Sequence, residues 1–152
     1  IKVQVKIGTG ADYATKMDSA MEAALRARKD YKGAGNPTLY TTEDNLTSML
    51  LLKDKIGHRM YKNESEVAQA LRVKEIVTVP QMVGMKGAKG GELFGLIVNL
   101  SDYTVGADKG GAVNMFDDFD IDYNQQKYLI ETRCSGALTT PFSAMAIEFQ
   151  ES

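Results

Sequence analysis

The chain has 152 residues, 43% hydrophobic and 25% charged, with a formal net charge of −2. This fits one domain, or one domain with a small appendage, and the apolar fraction suffices for a core, so the chain is not disordered by composition. The charge argues against a nucleic-acid binder that works by neutralising phosphates, and the single cysteine, Cys134, rules out an internal disulfide and a thiolate metal cluster and fits a reducing compartment.

No run of about 18 apolar residues is present to span a membrane. The chain opens on Ile1 with no signal-peptide h-region, which reads as a piece of a longer polypeptide or a processed product. Lys2-Val3-Gln4-Val5-Lys6-Ile7 alternates polar and apolar, the period of a half-buried strand, and Gly8-Thr9-Gly10 ends it. From Asp12 the apolar residues Tyr13, Met17, Ala20, Met21, Ala24 and Leu25 fall at helical spacing, with Asp12 or Thr15 as the cap. Arg26, Arg28, Lys29 and Lys32 load the far end with the charge the helix dipole favours, and Gly33 is the expected stop. Gly35-Asn36-Pro37 reads as a turn and 38–40 as a short strand. Thr41 or Thr42 then caps a second helix from Glu43 to about Lys55, with Leu46, Met49, Leu50 and Ile56 as its buried stripe, Leu51 and Leu52 widening it, and Gly57 as its end.

A shorter helix is expected over 65–71, capped by Ser65, with Val67, Ala68 and Leu71 inward. Residues 73–79 are β-branched and strand-like, stopped by Pro80. Residues 85–91 form a flexible glycine-lysine loop, and 93–100 are almost continuously apolar, as in a central strand. A polar loop over 102–111 precedes strands near 113–115, 119–123, 127–134 and 144–149. Helices in the first half and antiparallel-looking strands in the second give an α+β class.

The residues that could carry chemistry lack their partners. The stretch from Gly84 to Gly91 looks superficially like a phosphate cradle, but a P-loop sets Ser or Thr after its lysine at the mouth of a helix; here Gly90 follows Lys89, and then a strand. Gly8-Thr9-Gly10 lacks the third glycine of a dinucleotide fingerprint. Asp118, Asp120, Asp122 and Asn124 recur at every second residue like the start of a calcium loop, which needs glycine at its sixth position and glutamate at its twelfth; Tyr123 and Leu129 stand there instead. On a strand these acids would line one face and Phe119, Ile121 and Tyr123 the other, making an acidic edge for solvent or a partner. Paired aspartates could serve acid–base hydrolysis, but nothing nearby supplies an oxyanion hole.

His58, the one histidine, sits just past a helix end with no sequence partner. Cys134, beside Arg133 in an expected strand, reads as a buried, inert thiol. Glu131 and Arg133 share a strand face and are expected to pair or to reach a neighbouring subunit. No residue is therefore named as catalytic, cofactor-binding or metal-ligating.

Several stretches, taken in order, resemble the C-terminal part of a tailed-bacteriophage or prophage major capsid protein. They are Gly35-Asn36-Pro37-Thr38-Leu39-Tyr40, Leu50-Leu51-Leu52-Lys53-Asp54, residues 71–77 (LRVKEIV), 96–111 (LIVNLSDYTVGADKGG), 116–124 (FDDFDIDYN) and 128–138 (YLIETRCSGAL). The likeness runs from about Ala14 to Phe149.

The resemblance implies the tailed-phage capsid fold, in which an axial domain forms the centre of each hexamer or pentamer and a peripheral domain carries a long spine helix and a sheet. Residues 1–123 would be mainly axial and 124–152 the returning strands of the peripheral domain, with the N-terminal arm, extended loop and spine helix absent. It implies a non-enzymatic structural subunit of an icosahedral head enclosing double-stranded DNA, found in the virion and assembled in the bacterial host cytoplasm without a cofactor or a membrane. Its partners would be further copies of itself, scaffolding protein and portal, with only non-specific contact to packaged DNA. Candidate subunit contacts are Asp102, Asp108 and Lys109 in one glycine-rich loop, Lys86 and Lys89 in the other, and Glu131 and Arg133. Alternatives are an encapsulin-like compartment shell, a small metal-dependent hydrolase using the Asp117–Asp122 cluster, and a monomeric ligand-binding module.

Overall fold

A computed structural model describes residues 1–8, 11–107 and 113–151, which leaves the contact candidates Asp108 and Lys109 outside. In chain order the elements are β1 (Lys2–Ile7), α1 (Tyr13–Ala27), β2 (Thr38–Thr41), α2 (Glu43–Leu50), α3 (Glu64–Ala70), β3 (Ile76–Thr78), β4 (Glu92–Val98), β5 (Tyr103–Ala107), β6 (Asn114–Asp120), β7 (Gln125–Glu131), β8 (Cys134–Leu138) and β9 (Ala144–Glu151). The mixture of helices and strands is α+β, as the pattern predicts. The chain forms two units, Ile1–Asp102 with Thr140–Ser152, and Tyr103–Thr139. The division falls at 102/103 and 139/140, whereas position 123/124 lies inside the turn between β6 and β7.

The first unit is built on a five-stranded sheet in the order β1-β9-β4-β2-β3. The nearly continuous apolar run forms its middle strand, β4, which pairs antiparallel with both β9 and β2. The sheet is mixed, because β1 runs parallel to β9 and β2 parallel to β3. Alternation fixes which face is buried. Val5 and Ile7 of β1, Met145, Ile147 and Phe149 of β9, Ile97 of β4 and Leu39 of β2 all turn to one side and meet Met17, Ala20, Met21 and Ala24 of α1 and Leu46 and Met49 of α2. A register shift between Leu93 and Gly95 brings Phe94 to the same side, edge-on to Phe149 at 5.8 Å and 71°. Gly95 is needed there, since a Cβ would press on the Tyr40 carbonyl at 2.9 Å.

The first two helices are shorter than their patterns predict. Asp12 caps α1 by accepting the Tyr13 N–H at 2.8 Å, but the α-helix stops at Ala27 and a 3-10 turn follows over Arg28–Asp30. Gly33 therefore ends no helix. Its lack of a side chain lets the segment pass against the Tyr31 hydroxyl and the Asp102 carboxylate. Leu25 is exposed and Ala27 takes the buried position.

Thr42 caps α2 through the Asn45 N–H, and the helix ends at Leu50 instead of near Lys55. Beyond it the Asp54 carboxylate accepts the N–H groups of Ile56 and His58, each at 2.9 Å, which favours a turn over further helix. Consequently Leu51 and Ile56 are exposed, and only Leu46, Met49 and Leu52 are buried. Asn63, not Ser65, caps α3: its side chain accepts from the Glu66 N–H, while Glu66 accepts from the Lys62 N–H, a reciprocal arrangement of the capping-box kind.

The second unit consists of two antiparallel ribbons, β5 with β8 and β6 with β7. Residues 103–107, expected as loop, are a strand paired along β8. The two pieces expected at 113–115 and 119–123 are one strand, β6, and its turn. The strand expected over 127–134 divides into β7 and β8, so Cys134 opens β8 and is exposed, where a buried thiol was expected. No described residue of 103–139 is buried.

Candidate functional site

Residues 85–91 are not a free loop. Leu93 donates to the Met85 carbonyl at 3.0 Å, Gly87 to that of Gly91 at 2.7 Å and Gly90 to that of Gly87 at 3.0 Å, closing a compact turn. The turn lies on Glu148, which points to the sheet face opposite the helices. Glu148 is 2% exposed, and its Oε2 accepts the Lys89 N–H at 3.2 Å, while Oε1 has no hydrogen-bond partner among the described residues. A side chain at Gly87 would collide with that carboxylate. Lys89 Nζ donates to Gln4 Oε1 at 3.1 Å, and Lys86 is exposed. Lys16, Lys89, Glu92 and Ile7 line a depression of about 360 Å³ beside the turn. Among the described residues its lining includes no nucleophile–base pair of the kind hydrolysis needs.

The sequence gives one signal for Glu148, a charge set between Ile147 and Phe149 on a strand. Alternation alone turns it to solvent; the glycine turn that covers it comes from a segment about sixty residues away.

Asp102 is also engaged inside the chain. It is 7% exposed, its Oδ2 accepts the Ala34 N–H at 2.8 Å, and Thr140 donates to its Oδ1 at 3.4 Å. Asn99 adds a bond to the Ala34 carbonyl at 2.7 Å. The two points where the chain crosses between units thus begin at residues bonded to each other. Burial, reinforced by the charge of Asp102, pushes the Tyr31 hydroxyl above the usual tyrosine range. The Arg28 guanidinium, stacked 4.7 Å over the Tyr31 ring, is lowered chiefly by burial.

The acidic block lies on the β6–β7 hairpin. Register places Asp118 opposite Lys127 and Asp120 opposite Gln125 on one face, and Asp117 opposite Tyr128 on the other, while Asp122 sits in the turn. The carboxylates therefore do not converge. Asp120 pairs with Lys127 and accepts the Asp122 N–H at 3.1 Å. Among the described residues no three His, Cys, Asp or Glu side chains are grouped to hold a metal ion.

Glu131 and Arg133 do come together, Nε to Oε1 at 3.2 Å, although Arg133 lies in the link between β7 and β8 and not in a strand. His58 Nδ1 stands 3.6 Å from Asp54, on the surface. Asp54 is held below the usual carboxylate range, first by the His58 N–H. Among the described residues no helix is long and apolar enough to cross a membrane.

No protein-family model matches the chain, and no curated protein matches its sequence. Solved structures do. A chain of Mycobacterium phage Ogopogo superposes with a TM-score of 0.53 at 10% identity, over 96% of this chain and 54% of that one. A phage-related protein from Bordetella bronchiseptica RB50 superposes with a TM-score of 0.54 at 16% identity, over 96% and 55%. A chain of Gordonia phage Cozz superposes with a TM-score of 0.54 at 10% identity, over 99% and 50%. The chain spans about half the length of these solved structures. At such identities the likeness is one of fold, and this fold is one that phage and phage-related proteins carry.

Proposed function

We propose that the chain belongs to a non-enzymatic shell protein of a tailed-phage head, a subunit that assembles with copies of itself into hexamers and pentamers around double-stranded DNA. The observation that carries this reading is the fold likeness to phage proteins over 96–99% of the chain, which coincides with the ordered capsid-like stretches of the sequence. Those stretches map onto elements that define the architecture. Residues 96–102 end the central strand and form the Asp102 junction, 116–124 make β6 and its turn, and 128–138 run through β7 and β8.

The side chains support the same reading. Of the acidic block Asp120 is paired with Lys127 and the other carboxylates do not converge on it, while Phe116, Phe119, Leu129 and Ile130 are exposed beside charged residues on the ribbons, the mixed surface that tiling contacts use. In this reading the sheet of residues 1–102 and 140–152 is the axial part, and the ribbons of 103–139 belong to the peripheral part. We place the axial–peripheral division at the edges of these units and not at 123/124, since the chain's compact units part there and β9 lies between β1 and β4. Lys86, Lys89, Glu131 and Arg133 remain contact candidates, and the partners are further subunits, scaffolding protein and portal, with non-specific contact to DNA. Expression of the complete gene product that contains this chain, followed by electron microscopy, tests the proposal. Capsomers or closed shells are expected, and a protein that stays monomeric under all assembly conditions overturns it.

A further inference from the structure

No strand lies along the outer edge of β7 among the described residues. Among the described residues β7 pairs only with β6, so every second N–H and C=O along its seven residues has no strand to meet. The other edges are guarded. β1 carries Lys2 and Lys6, and β3 has only three residues. β5 and β8 are five residues each, with Gly106 and Gly136 inside them. All these features discourage pairing. β6 holds Asp117, Asp118 and Asp120, so pairing it with its own copy would set carboxylate near carboxylate. β7, with the sequence QQKYLIE, has neither glycine nor proline, and Tyr128, Leu129 and Ile130 are 64%, 60% and 67% exposed.

We propose that β7 is a self-association edge: two copies of this chain join β7 to β7 antiparallel across a two-fold axis at Leu129, making one four-stranded sheet from two hairpins. Charge selects the register. A two-fold axis normal to the sheet passes through one residue, which then pairs with itself. Through Leu129, Lys127 lies opposite Glu131 of the second copy, and symmetry repeats the pair. Through Tyr128, Lys127 would face Leu129 and Glu131 would face Gln125. Through Ile130, Lys127 would face Arg133, cation to cation.

The Leu129 register also sets Tyr128 against Ile130 twice, an aromatic with a β-branched residue. It sets Leu129 against itself, and Phe116, already opposite Leu129 within the hairpin, continues that apolar row across four strands. Asp120 on Lys127 and Arg133 on Glu131 then flank the joined edges with charges of alternating sign. Four strands also supply what a two-stranded ribbon lacks for stability in water. The inference rests on this edge and not on the shell reading. Head-to-tail rings need a second class of contact to join one ring to another, and a two-fold edge is of that class.

The test uses the 152-residue chain in a Cys134→Ser background, followed by sedimentation equilibrium. A reversible dimer is expected. Lys127→Glu and Glu131→Lys should each weaken it roughly tenfold, since each puts like charges opposite at both symmetric positions. An equimolar mixture of the two variants should recover the parent affinity, because one chain then offers two negative charges and the other two positive. Separately, Leu129→Cys should oxidise to a disulfide-linked dimer and Asp117→Cys should not. A monomeric parent, charge variants that dimerise like the parent, a mixture that fails to recover, or Asp117→Cys cross-linking as readily as Leu129→Cys each overturns the edge. Shells of the complete gene product that form unchanged in both charge variants also overturn it while leaving the shell reading intact. Dimers without any larger assembly support the edge and count against the shell.

Discussion

The two units of this chain satisfy the same backbone in opposite ways. In residues 1–102 and 140–152, β9 is flanked on both sides, its apolar face is covered by helices, and Met145 and Ile147 are fully buried. In residues 103–139 the strands are of comparable length, yet each pairs with one neighbour and no described side chain is buried. Phe116, Phe119, Leu129 and Ile130 are of the same residue types that build the core, and they and Tyr128 are all at least half exposed. A pair of strands with both faces wet is marginal by itself. The first unit is stable through what it encloses; the second leaves its apolar side chains exposed.

The sharpest way to break this contrast is to shorten one aromatic in each unit. Phe94 is fully buried against Phe149, and Phe94→Ala should cost about 3–5 kcal/mol in urea unfolding, from lost transfer energy and the cavity left behind. Phe119, half exposed, should change the same transition by less than about 0.5 kcal/mol when replaced by alanine. A loss at Phe119 comparable to that at Phe94 would mean that the ribbon is packed in solution, and the contrast would fail.

A smaller effect is expected where the two units' connecting segments begin. Asp102→Ala leaves the Ala34 N–H and the Thr140 hydroxyl without their acceptor, and a buried donor so orphaned costs about 1–3 kcal/mol. Hydrogen exchange should show the Ala34 amide losing protection, while the β6–β7 amides keep theirs. Equal loss in both places would show that the junction and the ribbon open together.

How much of this was legible in the sequence follows the same division. β1, β4 and β9 could be read from residues near one another, and the first two caps narrowed to Asp12 or Thr15 and Thr41 or Thr42, because alternation and capping are local; the structure takes Asp12 and Thr42. The early ends of α1 and α2 could not. Gly33 looks like a helix stop, but its need for a bare Cα comes from the Tyr31 ring folded back against it and from Asp102, about seventy residues on, and Asp54 looks helical until its carboxylate takes two N–H groups of its own turn. In the second unit local pattern failed more widely. With no buried face to impose a period, Asn114–Asp120 read as two fragments and Tyr103–Ala107 as loop. Of the candidate contacts, Glu131 and Arg133 do pair, one of the two alternatives expected, but Arg133 lies outside the strand whose shared face suggested it. The burial of Asp102 and the bond between Lys89 and Gln4 depend on long-range packing that no spacing shows.

The smallest effect concerns proton linkage, and it belongs to the first unit alone. Burial and the Asp102 charge both favour neutral Tyr31, so its folded pKa lies above the ordinary value of 10.0. A phenol more acidic in the unfolded chain stabilises the fold fully below about pH 10, and that contribution fades as pH rises through the folded value. Raising the pH from 9 to 11 should therefore lower the urea midpoint less in Tyr31→Phe than in the parent, once the other tyrosines are common to both. Asp102→Asn should bring the Tyr31 titration, followed by the parent-minus-Tyr31→Phe ultraviolet difference, back toward lower pH, because one of the two causes of its elevation is gone. An alkaline limb unmoved by Tyr31→Phe, or a Tyr31 titration unmoved by Asp102→Asn, would mean that this phenol is not held by burial and the Asp102 charge, and with it would go the enclosed environment assigned to residues 1–102 and 140–152.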